Sequence, residues 1–146
     1  MRLALLVCLV VSASACAGSP GAPTSAAGGT TMNIAGTWNG TIASSNNETM
    51  QLSMILSQSG SDVSGTWSST SVSWSGQVSG AVNGSSFDGQ FRFSGQAANG
   101  TVCTGTANVV GTATASALTL TSASGVVGGS CPAPLPNGLK IEVHRQ

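Results

Sequence analysis

Residues 78–93, VSGAVNGSSFDGQFRF, hold two alternating runs and the turn that joins them. Val78 and Val82 share one parity before Asn83-Gly84, and Phe87, Phe91 and Phe93 share one parity after it, against Asp88, Gln90 and Arg92. Successive side chains of an extended chain point to opposite faces, so a period of two gathers these apolar groups on one face of each strand. Asn-Gly supplies the positive-φ positions that a tight two-residue hairpin needs. The stretch reads as a β-hairpin with one face buried and one wet, and the fold class depends on how far that pattern runs.

It runs in both directions. Upstream, Ile34, Gly36, Trp38, Gly40 and Ile42 share one face of a first strand. Met50, Leu52, Met54 and Leu56 share one face of a second, with Gln51, Ser53 and Ser57 opposite. A turn at residues 59–62 (SGSD) leads to Val63, Gly65 and Trp67 on a third, and Val72, Trp74, Val78 and Val82 fall on one parity of a fourth. Downstream of the phenylalanines, Asn99-Gly100 precedes a sixth strand through Cys103 to about Val110, and Leu118 and Leu120 mark a seventh. Leu139, Ile141 and Val143 alternate with Lys140, Glu142 and His144 in an eighth. No helical period of useful length interrupts them. Eight strands joined by short turns predict a meander. Left open it would expose two edges, and almost no Lys or Pro within the strands is present to blunt them. Closure into a single eight-stranded antiparallel up-and-down barrel removes the edges, with a two-sheet β-sandwich as the alternative. The domain spans residues 34–146, large enough to bury roughly two-thirds of its unfolded surface.

Charge excludes several functions. Only 5% of the 146 residues are charged, while 40% are hydrophobic, so the chain is built to fold. Downstream of residue 15, three cations (Arg92, Lys140, Arg145) stand against four anions (Glu48, Asp62, Asp88, Glu142), a net charge of −1. Three cations cannot assemble a nucleic-acid surface, and no nucleic-acid partner is expected.

Residues 1–15 read as a signal peptide: Arg2 gives a positive start, residues 3–11 (LALLVCLVV) an apolar run too short to span a bilayer, and residues 12–15 (SASA) a small-residue cleavage region. Ala13-Ser14-Ala15 satisfies the rule of the ordinary signal peptidase. With Cys16 it also resembles the bacterial lipobox, in which the new N-terminal cysteine is lipid-modified; Ala13 stands where Leu is usual. The resemblance implies a membrane anchor at Cys16, and a soluble secreted or periplasmic protein is the alternative. Residues 16–33 form the anchor cysteine and a linker whose uncharged Gly/Pro/Ser/Thr/Ala run at 17–31 holds the domain on the order of 20 Å from the surface. Ala17 is not the aspartate of an inner-membrane retention signal, so outer-membrane placement is the default where the source has one. With Cys8 removed and Cys16 lipidated, Cys103 and Cys131 are expected to pair as a disulfide, worth about 3.5 kcal/mol in the chain-entropy model.

GTWNG at residues 36–40 resembles the G-x-W opening of lipocalin and avidin-type (calycin-like) barrels, and VSGTWSS at 63–69 is similar to the avidin segment that carries G-T-Tyr/Trp-x-Ser toward biotin. The resemblance covers about a third of the chain. It implies a barrel, and it would place Asn39, Trp67 and Ser69 near a ligand at the barrel mouth. The later tryptophans and late aspartate of avidins have no counterpart, the last tryptophan being Trp74.

Trp38, Trp67 and Trp74 read either as aromatic walls of a ligand site or as core plugging one end of the barrel. Met50 and Met54 read as filler or as adaptable lining. Inward glycines at 65, 76, 80 and 89 would leave a void. Catalysis finds little footing: the carboxylates fall at turns or on outward parity, the lone His144 lies on a polar face, and no G-x-S-x-G, Walker or Rossmann motif occurs. The Asn39, Asn47, Asn83 and Asn99 sequons suit turn and strand chemistry. No cofactor and no metal are expected, and a lone histidine without C-x-x-C supplies too few ligands. Two function classes stay open. One is an envelope-tethered barrel binding a small apolar or amphipathic ligand; the other is a protein-interaction, inhibitor or structural surface lipoprotein.

Overall fold

A computed structural model describes residues 30–43, 48–96, 100–129 and 139–146. The expected signal peptide, Cys16, most of the linker and Cys131 lie outside the described residues, so the anchor and the disulfide are carried forward as expectations.

The hairpin at 78–93 lies in two of eight strands. The strands are β1 (Gly36–Ala43), β2 (Thr49–Ser59), β3 (Asp62–Ser69), β4 (Trp74–Asn83), β5 (Ser86–Gln96), β6 (Val102–Ala113), β7 (Ala117–Gly129) and β8 (Lys140–Arg145). Each pairs antiparallel with the next, and β8 returns to β1, from Trp38 opposite Arg145 to Ala43 opposite Lys140. The fold is a closed up-and-down barrel rather than a sandwich. Closure pairs the edge of β1, whose outer face carries Thr37 and Asn39, with that of β8, whose outer face carries Lys140, Glu142 and His144, and so leaves neither edge open to other chains.

The parity of the sequence is the parity of the barrel. Trp38, Leu52, Met54, Leu56, Val63, Val82, Phe87, Leu118, Leu120 and Val143 are buried inside, and among the described residues no polar or charged side chain is buried. Two boundaries differ from the expected ones, each for a local reason. Val72 does not join β4 but is 47% exposed. The Ser69 hydroxyl accepts the backbone N–H groups of Ser71 and Val72, both at 3.2 Å, and this Ser-centred turn swings Val72 off the strand. Ile34 is buried but precedes β1, because Gly36 adopts φ +135, a left-handed conformation that folds the lead-in across the end of the barrel.

That end is closed. The Trp38 indole N–H donates to the Ile34 carbonyl at 2.9 Å, and Gln58 clamps the lead-in by accepting from the Ile34 N–H at 2.7 Å and donating to the Met32 carbonyl at 3.0 Å. Arg145 covers the outer face of Trp38, its guanidinium carbon 4.7 Å from the ring centroid. Its three nitrogens donate to the carbonyls of Ala115 at 2.8 Å, Ala35 at 2.6 Å and Asn33 at 2.7 Å. The chain thus enters the barrel at the plugged end, and the C-terminal ends of β1, β3 and β5 lie at the other.

Candidate functional site

At the end opposite the Trp38 plug the barrel is hollow. A cavity of about 110 Å³ lies among Ile42 of β1, Met50 of β2, Trp67 of β3, Trp74 of β4, Phe91 and Phe93 of β5, Ala107 and Val109 of β6, and Leu139 and Ile141 at the start of β8. It opens into a wider vestibule bordered by Ile42, Glu48, Thr49, Met50, Val72, Trp74 and Leu139. Four residues are common to both, so cavity and vestibule form one path from solvent to interior.

Two aromatic pairs make one wall. Trp74 and Phe93 lie 5.6 Å apart at 31°, and Trp67 and Phe91 lie 6.1 Å apart at 41°. Aliphatic side chains and Met50 face them. The indole N–H groups do not point into the space: Trp67 donates to the Arg92 carbonyl at 3.0 Å and Trp74 to the Gln96 carbonyl at 3.1 Å. With every described lining residue apolar and both indole N–H groups engaged by backbone, the described lining offers a ligand shape and dispersion and no hydrogen bond.

The sequence-derived candidates separate. Trp67 and Trp74 line the cavity. Trp38, fully buried, belongs to the plug at the far end. Asn39 is exposed on the outer face of β1, opposite Ser53 and His144, and Ser69 holds the turn at its own strand end. Neither lines the cavity, so the polar partners implied by the avidin-type segment are not gathered around it. The chain matches no family model, no curated protein and no solved structure.

Ile42, Phe91, Phe93, Ala107, Val109, Leu139 and Ile141 join Met50 and the two tryptophans in the lining and were not singled out as ligand-contacting from sequence. The inward parity of Ile42, Phe91, Phe93, Leu139 and Ile141 was legible in their strands; that of Ala107 and Val109 was not, because Val109 and Val110 put apolar groups on both faces. What parity omits is height along the barrel axis, which depends on the register between strands.

The void expected beside inward glycines is not where the glycines are. A ring edge of Phe87 lies over both Gly80 and Gly89, within 2.9 and 2.7 Å of where a Cβ would stand. The Trp67 indole crosses Gly76, its Nε1 2.9 Å from such a Cβ, to reach the β5 backbone. Glycine lets a large ring lie flat against the wall; the open space lies nearer the mouth, where rings face aliphatic groups.

Among the described residues that line the cavity none carries an ionisable group. Among the described residues no three His, Cys, Asp or Glu side chains converge to hold a metal. His144 is exposed on the outward face of β8.

Proposed function

We propose that the protein is an exported, envelope-tethered barrel that binds a small apolar or amphipathic ligand at its open end. The observation that carries this reading is the wholly apolar cavity continuous with a solvent-facing vestibule. Apolar cavities of this kind stay dry and take up apolar guests.

Native mass spectrometry of the protein purified from its own host tests the reading. A bound apolar molecule of reproducible mass is expected; a consistently empty barrel under gentle conditions overturns the carrier reading and leaves the interaction-module alternative. Ala107→Leu gives a complementary test. Ala107 is buried and lines the cavity. The added isobutyl group should raise the stability of the empty protein by about 1 kcal/mol, as cavity filling does, while abolishing ligand-induced stabilisation. A variant that binds as before places the ligand elsewhere.

The tether belongs to the same proposal. Cleavage before Cys16 and acylation of that cysteine would hold the domain by its plugged end, so the mouth lies on the side of the barrel away from the chain's entry. The calycin-like opening and the Cys103–Cys131 disulfide are part of this reading. Intact-mass analysis of the protein from cells should show an N-terminus at Cys16 carrying acyl chains and two hydrogens fewer than the dithiol. An unacylated Cys16 removes the tether from the proposal; a full dithiol mass removes the disulfide.

A further inference from the structure

The inner cavity limits what it admits. Its volume of about 110 Å³ is below the ~150 Å³ of an engineered apolar cavity that takes up benzene. Its inner end lies among Trp67, Phe91 and Val109. Val63, Val82 and Phe87 are packed at 3%, 0% and 2% exposure and do not line it. Trp67 is held in place, because its indole donates to the Arg92 carbonyl and lies against Gly76. A chain entering from the vestibule therefore meets packed side chains at the inner end of the cavity.

On the reading of this cavity as the ligand site, we infer that it selects a compact hydrocarbon group smaller than benzene, a short alkyl segment of about four carbons, and excludes aromatic rings and extended acyl chains. The lining supplies no donor or acceptor, so a polar group on the ligand stays in the vestibule, beside Glu48 and Thr49. Sugars are excluded on the same ground, since their hydroxyls would lose water without a replacement partner.

The test is a homologous series of 1-alkanols, propanol to decanol, titrated into the full mature protein and followed by NMR chemical-shift changes. Affinity is expected to rise about fourfold with each methylene, the value of burying one CH₂, up to roughly butanol or pentanol and then to level off. Phe91→Ala opens the inner end and should move that break to longer chains. Should that variant not fold, Val109→Ala, a smaller truncation in the same lining, is expected to move the break in the same direction. Affinity that climbs unbroken through decanol overturns the size limit and leaves the carrier reading standing. Failure of every alkanol to bind overturns the carrier reading itself. A break unmoved by either truncation shows that the inner end of the cavity does not set the limit.

Discussion

Arg145→Ala is expected to lower the stability of the barrel by about 3 kcal/mol. The side chain donates to carbonyls in the lead-in and in the β6–β7 turn while stacking on Trp38, so one group joins segments 110 and 112 residues apart in sequence. Charge-assisted hydrogen bonds are worth more than neutral ones, and cation–π stacking on a buried tryptophan adds about 1 kcal/mol. Partial solvent exposure of these carbonyls discounts the sum, because water can replace some of what is lost. Arg145→Lys should recover less than half of the loss, since a single ammonium cannot fork to carbonyls of both the lead-in and the β6–β7 turn. Urea unfolding measures both variants: the midpoint should fall with an unchanged m-value. A loss below about 1 kcal/mol for the alanine variant would mean that Gln58 and the Trp38 indole bond hold the plug without it.

Gly76→Val is expected to have the larger effect and to leave little folded protein at 37 °C. A side chain at this position meets the Arg92 carbonyl and the Trp67 Nε1 together. Relief requires β4 and β5 to separate or the indole to leave its slot, and the second route forfeits its hydrogen bond and much of its burial, about 3 to 5 kcal/mol. Small domains have only about 5 to 15 kcal/mol in total. Near-UV circular dichroism and tryptophan emission should report a lost or red-shifted Trp67 environment. Gly60→Ala is the control: Gly60 sits at φ +61 with open space around it, so that change carries only the modest cost of the left-handed conformation, about 1 kcal/mol. Equal midpoints for the two variants would show that the Trp67 slot does not depend on a bare backbone at residue 76.

Both predictions concern features that alternation does not encode. Arg145 was legible only as one of three cations, its partners lying on three other segments. Gly76 was legible as an inward glycine that would leave a gap, and the gap is filled by a ring from the neighbouring strand.

What the sequence determined by itself is the part governed by local rules. Period-two alternation from Ile34 to Val143, with Asn83-Gly84 and residues 59–62 as turns, predicted eight strands and most of their buried faces, and the scarcity of edge-blunting residues favoured a barrel over a two-sheet sandwich; the pairing of β1 with β8 decided it. Trp67 and Trp74 could be nominated for a ligand because their residue type and parity were visible. Only the tertiary structure decided at which end of the barrel each tryptophan stands. Trp38 and Trp74 share inward parity, yet register places one in the Arg145 plug and the other at the open mouth. Parity is set by neighbours one residue away along the chain, whereas height along the axis is the accumulated outcome of eight strand pairings, and no short window of sequence contains it.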